Sequence, residues 1–499
     1  MASPVVNSDR IAFDPYALPP EAIEDPPASV WKALRKIGPG IILAGTIVGS
    51  GELILTTGLG AKNGFIFLWL ILLSCVVKVF VQIELGRCAI STGKPTLGLL
   101  NDLPGKTRLG HPLVWWWFVM MLCTVFQLGA MTGGTAQALN LAFPKVAIGI
   151  AERLSSSAPQ LAADIAGRPE LPWSFLTCLV VIALIYRGSY RRIEWLTTFI
   201  VVSVTLATVT AAVSLGWTEY PVHAADVADG LKFRLPGEDT AIAIAAAFAV
   251  FGITGVGASE LFYYPYWCLE KGYARATGRS DGTEAWARRA KGWIRVMHLD
   301  AWISMVVFTV STVSFYVMGA AVLHPQGLDP KPKDLIATLA EMFVGPFGDW
   351  TRTLFLIGAG AVLFKTLYLS CAANSRLTTD FLALCGVVSV KTADDRARWI
   401  RRFTLVFPVV ALLLYLGIRD PKFMVTIGGV AQAATLPMIC LAAWYFRFKT
   451  VDRRLAPWPT TDLLLGVAVI SVLAVATYAI PTQLAELWKY VREQMSAAA

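Results

Sequence analysis

Apolar runs of about 20 residues recur along the whole of this chain, and each is long enough to cross a lipid bilayer as an α-helix. Eleven spans are predicted, over 37–61, 64–92, 112–142, 172–187, 193–217, 239–266, 295–323, 352–382, 402–418, 423–447 and 461–482. A hydrocarbon core offers no water to backbone N–H and C=O groups, so only helices or a closed barrel can enter it repeatedly. Barrel strands are short and alternate apolar with polar residues, and none of these runs alternates. Of the 499 residues, 56% are hydrophobic and 15% charged, where a soluble domain carries about 25% charged residues. The expected fold class is an all-α polytopic membrane protein with eleven transmembrane helices.

Lysine and arginine set the expected orientation, because cytoplasmic loops keep them. The segments around Arg35, Arg87, Arg191, Arg288, Arg401 and Arg453 hold most of them. This places the N-terminus in the cytoplasm and, with eleven spans, the C-terminus outside. The net charge of +9 follows from topology, and a nucleic-acid partner is not needed to explain it. Residues 1–30 read as a flexible cytoplasmic tail, with no signal-peptide pattern. Eight cysteines show no CxxC spacing and no disulfide framework outside the membrane. No nucleotide-binding, hydrolase or zinc motif occurs, so the chain is not read as an enzyme and no cofactor is expected.

Two glutamates lie where a membrane chain should have no charge. Glu52 follows Gly49-Ser50-Gly51 in the first span, and Glu260 follows the glycines of GITGVGASE in the sixth. Carboxylates inside a bilayer are costly, and interrupted helices at corresponding positions of two halves point to a transporter's binding site. The predicted organisation is two inverted five-helix halves, 31–217 and 218–447, followed by an eleventh helix and tail over 448–499. The first and sixth helices are expected to be broken, at 49–51 and at 252–257, as in amino-acid/sodium symporter-like folds.

Unwound backbone frees carbonyls that a cation can take, and two nearby carboxylates need a cation or a proton between them. Each glutamate has a competing reading as a private ion pair with Lys78 or Lys365. The expected metal ligands are Glu52, Glu260, Gly49, Gly257, Ser259 and Gln432, with Thr46, Ser50 and Thr254 nearby. Oxygen ligands without Met, His or Cys favour hard cations. Gln432 reads equally as an oxygen ligand or an interhelical hydrogen bond, and Gly428 and Gly429 could loosen its helix. Lys365, Tyr368, Arg376 and Thr379, like Lys78, Gln82 and Glu84, line a polar path or form buried contacts. His298, beside Asp300, is read as interfacial, and FYYPYW (262–267) as packing.

The stretches GPGIILAG (38–45), GLGAKNGFIFLW (58–69), RCAISTGKPT (87–96) and RGSYRRIEW (187–195) resemble the NRAMP family of metal-ion transporters. The departures are specific. Where the family carries Asp-Pro-Gly-Asn, this chain has Gly49, Ser50, Gly51 and Glu52. Where it carries Met-Pro-His-Asn, this chain has Gly257, Ala258, Ser259 and Glu260. The family's glutamine of the tenth span aligns with Gly429, one turn before Gln432. The resemblance implies the fold and metal transport. It carries over neither the thioether that favours transition metals nor the histidine linked to proton coupling. The lost bulky side chains suggest a roomier pocket, fit for a hydrated or complexed ion. The expected function is import of a hard metal cation (iron, with ferric or complexed iron included, or Mn or Mg) across the cytoplasmic membrane. The alternatives are an amino-acid or organic-cation symporter of the same fold, and a non-transporting membrane sensor.

Overall fold

The computed structural model describes residues 20–186, 190–236, 240–331 and 334–498. Residues 1–19 of the predicted tail, and 187–189 of the RGSYRRIEW motif, lie outside the described residues. Ten helices among those described are long and apolar enough to cross a membrane. An eleventh span comes from the pair Pro159–Gly167 and Leu171–Tyr186, bent by 93°. The predicted spans fall on these helices, and the seventh begins a turn or more earlier than expected, at Glu284.

The second span packs on the sixth and the seventh, and both of those pack on the first, which makes one group. The third, fourth, eighth and ninth form another, with the tenth lying along the third. The fifth crosses between the groups, touching the first, seventh and eighth. The first and the sixth helices are interrupted.

The first span starts at Pro39, whose missing N–H costs nothing at a helix start. It runs over Pro39–Ile47, leaves helical geometry at Val48 (φ −69°, ψ 80°), and resumes as a π-helical stretch over Gly51–Thr56 before Thr57–Asn63. The wide π turn is held where the Thr57 hydroxyl donates to the Glu52 carbonyl at 3.0 Å. A second π stretch, Gly319–Leu323, packs against Thr57–Asn63. The sixth span runs over Thr240–Ile253 and Ala258–Lys271, with the break between them.

Two expectations are corrected here. The second break spans 254–257, not 252–257, because Gly252 stays helical and lets the tenth span approach. A Cβ on Gly252 would sit 2.3 Å from the Gly429 carbonyl oxygen. The tenth span is one unbroken helix, Pro421–Lys449, as its pattern predicts. Its glycines serve close packing, Gly428 against Gln127 and Gly429 against Ala249. Residues 23–26 are also docked and not a free tail. Glu24 N donates to the Ala276 carbonyl at 3.0 Å, Trp293 Nε1 donates to the Glu24 carbonyl at 2.9 Å, and Pro26 lies against Gly292.

Gly252 gives a first prediction. Gly252→Val is expected to lower the melting temperature by several degrees, because overpacking against rigid backbone costs about 1–3 kcal/mol. A variant that melts with the wild type would show that the sixth and tenth spans do not meet as described.

Candidate metal site

The first break is built by what its backbone must bond. The Val48 carbonyl, freed where the helix stops, accepts from Lys365 Nζ at 2.6 Å. Glu52 is fully buried. Its carboxylate accepts from Gly49 N at 3.3 Å and from the Thr312 hydroxyl at 3.3 Å. Gly49 is glycine because the eighth span is close: a Cβ there would lie 2.3 Å from Thr366 Oγ1.

The second break follows the same logic. The carbonyls of Phe251 and Thr254 accept from Lys78 Nζ at 2.7 and 2.5 Å, and from Ser74 Oγ at 3.3 and 2.9 Å. Gly255 takes φ 62°, a left-handed conformation, and a Cβ on it would lie 2.8 Å from Cys75 Cα. Gly257 is the N-cap of the resumed helix, and Glu260 sits in its first turn, where the positive end of the helix dipole favours an acid. Ser259 N donates to Gln432 Oε1 at 3.0 Å, and Gln432 Nε2 donates to Gln127 Oε1 at 3.2 Å. The hydroxyls of Thr56 and Thr254, 3.3 Å apart, join the two breaks.

Between the breaks lies a cavity of about 30 Å³, room for a bare ion or one or two waters. Its polar lining includes Ser50, Gln127, Ser259, Glu260 and Gln432, with Thr46, Tyr263 and Asn374. The Ser259 hydroxyl is buried beside the Tyr263 hydroxyl and meets no partner at full hydrogen-bond geometry. Such an oxygen beside a carboxylate is what an ion or a water would complete. Among the described residues no group of three or more His, Cys, Asp or Glu side chains could hold a metal. A metal here would rest on one carboxylate and neutral oxygens, a hard donor set.

The structure brings together only part of the set read from the sequence. Glu260, Ser259 and Gln432 line one cavity, and Gly257 adjoins it: a Cβ there would meet Glu260 Oε2 at 2.5 Å and Gln432 Oε1 at 2.7 Å. Glu52 and Gly49 are not among the lining residues. The two acids feel each other electrostatically, but Glu52 is engaged by Gly49 and the seventh span. The competing private ion pairs are also not formed, since both lysines donate to backbone carbonyls. Nor is the pocket roomy in this conformation. The space beside the small Gly257 is filled by the side chains of Glu260 and Gln432 themselves.

Sequence reasoning gave Asp300 no role beyond being the neighbour of His298. Asp300 is fully buried, and its carboxylate accepts from Gly38 N at 2.9 Å, Gly40 N at 2.6 Å and the Tyr264 hydroxyl at 3.1 Å. It holds the start of the first half-helix. An acid inside an apolar run was the signal that could have found it. Tyr263 and Asn374, hydrogen-bonded at 3.1 Å, were missed as cavity lining. Arg376 makes a two-pronged contact with Glu270, at 2.5 and 3.1 Å, and so belongs to a partly buried ion pair.

A family model described as natural resistance-associated macrophage protein-like matches residues 40–480 of the chain. A divalent metal cation transporter MntH of Brucella suis biovar 1 (strain 1330) is 24% identical over 455 residues, covering 89% of this chain and 87% of that protein. One of the same description from Caldanaerobacter subterraneus subsp. tengcongensis is 21% identical over 414 residues, covering 82% and 83%. Among solved structures, a mutant of the Eremococcus coleocola manganese transporter superposes with a TM-score of 0.66 at 17% identity, covering 93% of this chain and 90% of that one. Mhp1, a nucleobase-cation-symport-1 family transporter in a closed conformation, superposes with a TM-score of 0.52 at 15% identity, covering 89% and 93%. Both structural likenesses concern the fold.

Proposed function

This chain belongs to the Nramp family, and from that premise we propose that it carries a hard metal cation across the cytoplasmic membrane through the cavity at Glu260. The observation that supports this reading most is the donor set. One carboxylate, a buried serine hydroxyl and a glutamine carbonyl meet where two helices are interrupted. Glu260 and Ser259 are the proposed charged and neutral ligands, with Gln432 beside them. Glu52 contributes negative field from behind the first break, without touching the ion. Gly49 and Gly257 leave the room that the neighbouring side chains take.

The oxygen set favours Mn²⁺, Mg²⁺ or an iron ion over softer metals. Relatives described as divalent metal cation transporters support a divalent ion as the first to test. Import is the proposed direction, with the inverted halves 31–217 and 218–447 rocking against each other around the fixed site. The grouping of the first, second, sixth and seventh helices apart from the third, fourth, eighth and ninth supports that motion. A cavity of about 30 Å³ argues against an amino-acid or organic-cation substrate in this conformation.

The test is uptake into proteoliposomes across Mg²⁺, Mn²⁺, Fe²⁺, Fe³⁺ and Ga³⁺, with and without a pH gradient. Thermal melting with metal salts and with amino acids runs in parallel. Metal-dependent uptake and stabilisation are expected. Stabilisation by amino acids alone, or no flux of any metal, defeats the proposal.

A further inference from the structure

Each interrupted helix ends in carbonyls that a lysine satisfies. The first half-helix closes at Val48, bonded to Lys365. The first half of the sixth closes around Phe251 and Thr254, both bonded to Lys78. Both lysines are 0% exposed, and both reach in from unbroken helices, the eighth and the second. A helix C-terminus carries partial negative charge and carbonyls with no partner inside the helix. In transporters with interrupted helices, such ends coordinate small cations. Here the Nζ groups of two tethered lysines stand at those ends.

A buried ammonium is costly unless polar or charged groups meet it. Glu52 attracts both lysines electrostatically, and Glu260 attracts Lys78. Yet neither acid is the partner at bonding distance; the carbonyls are. The lysine of the second break also lies over the Phe251 ring, 4.9 Å from its centre, which adds a cation–π contact. Position and charge of the two ammonium groups therefore answer to the helix ends first.

We infer that Lys365 and Lys78 are resident cations of the two helix breaks, filling the positions a co-transported monovalent cation would take, so that the cargo moves without sodium. Removing one side chain leaves the carbonyl and the Glu52 field in place, with a void beside them. That void should accept a sodium ion or a small alkylammonium. The uptake arm of the test rests on the proposed metal transport, and the melting arm does not.

The full-length protein and Lys365→Ala are compared in sodium, methylammonium and choline chloride at equal ionic strength, by thermal melting in detergent and by Mn²⁺ uptake in proteoliposomes. The wild type should behave alike in all three salts. Lys365→Ala should melt early and transport poorly in choline, and both should recover in sodium or methylammonium, uptake by roughly fivefold or more, as when a ligand refills a site. The inference is overturned if sodium stabilises or activates the wild type. It is equally overturned if Lys365→Ala matches the wild type in choline, or is impaired alike in every salt. If Lys365→Ala gives no folded protein in any salt, Lys78→Ala is read by the same criteria, and its failure in every salt also overturns the inference. A wild type that carries no metal, beside a Lys365→Ala protein stabilised by sodium, would defeat the proposed function and leave this inference standing.

Discussion

Glu260→Gln is expected to weaken metal binding by roughly 100-fold, with the protein folding as before. Glutamine keeps the shape and one acceptor oxygen but removes the charge. Leaving a buried charge without its partner costs about 3 kcal/mol or more, and each 1.4 kcal/mol is about a factor of ten. Glu260 is the acid that lines the cavity, so the whole of that loss falls on the ion. Glu52→Gln should cost less, roughly tenfold, because Glu52 acts on the site only through its field. Its larger effect should be on stability, since its carboxylate holds Gly49 N–H and Thr312. Metal titration by calorimetry and thermal melting of both variants separate the two roles. Equal losses of binding in the two variants would mean that both acids touch the ion.

Asp300→Ala should produce the largest loss of stability of any single substitution on the first span's contacts. The change removes one buried carboxylate and leaves two backbone donors unmet, Gly38 N–H and Gly40 N–H, while the Tyr264 hydroxyl keeps only the Met297 carbonyl at 3.4 Å. Each unsatisfied buried donor costs about 1–3 kcal/mol, so the two together should cost roughly 2–6 kcal/mol. The void cannot be closed by the backbone settling inward in the native arrangement, because Gly40 already lies against Asp300 and Ser304. Hydrogen exchange should rise over Pro39–Ile47 specifically, together with a lower melting temperature. Asp300→Asn retains an acceptor and should fall between. Unchanged exchange over 39–47 in Asp300→Ala would show that the clasp does not hold that half-helix.

The fold was legible because its determinant is one-dimensional. Bilayer thickness demands about 20 apolar residues per crossing, and a run of that length can be counted without knowing what it touches. The two breaks were legible for a related reason. Glycines followed by an acid inside an apolar run violate the local rules for a membrane helix, and a violation is visible in the residue order itself. Glycines of the opposite meaning were not separable. Gly255 is needed for its positive φ, whereas Gly252 and Gly429 are needed because a neighbouring backbone passes close by. All three look alike in sequence.

The site shows the same division. Residues of one helix turn, such as Ser259 and Glu260, could be grouped by adjacency. Gln127, Asn374 and Asp300 come from three other helices, and their roles depend on rotation about those helices. A rotation of one residue, about 100° in an ideal helix, decides whether a side chain meets the cavity or a neighbour. Glu52 is the clearest case: its π-helical stretch turns it toward Thr312 and not into the cavity.

Residue order was enough to establish that this chain crosses a membrane repeatedly as helices, that its first and sixth helices are interrupted, and that an acid follows each interruption. Those facts are set by local chemistry: the solvent a segment can tolerate and the backbone its residues permit. The packed molecule was needed to settle which acid faces the cavity, which acid clasps the first half-helix, and that lysines from distant helices meet the freed carbonyls. Those outcomes depend on the rotation and separation of helices far apart in the chain, and helix rotation is fixed only when all of the packed faces are satisfied together.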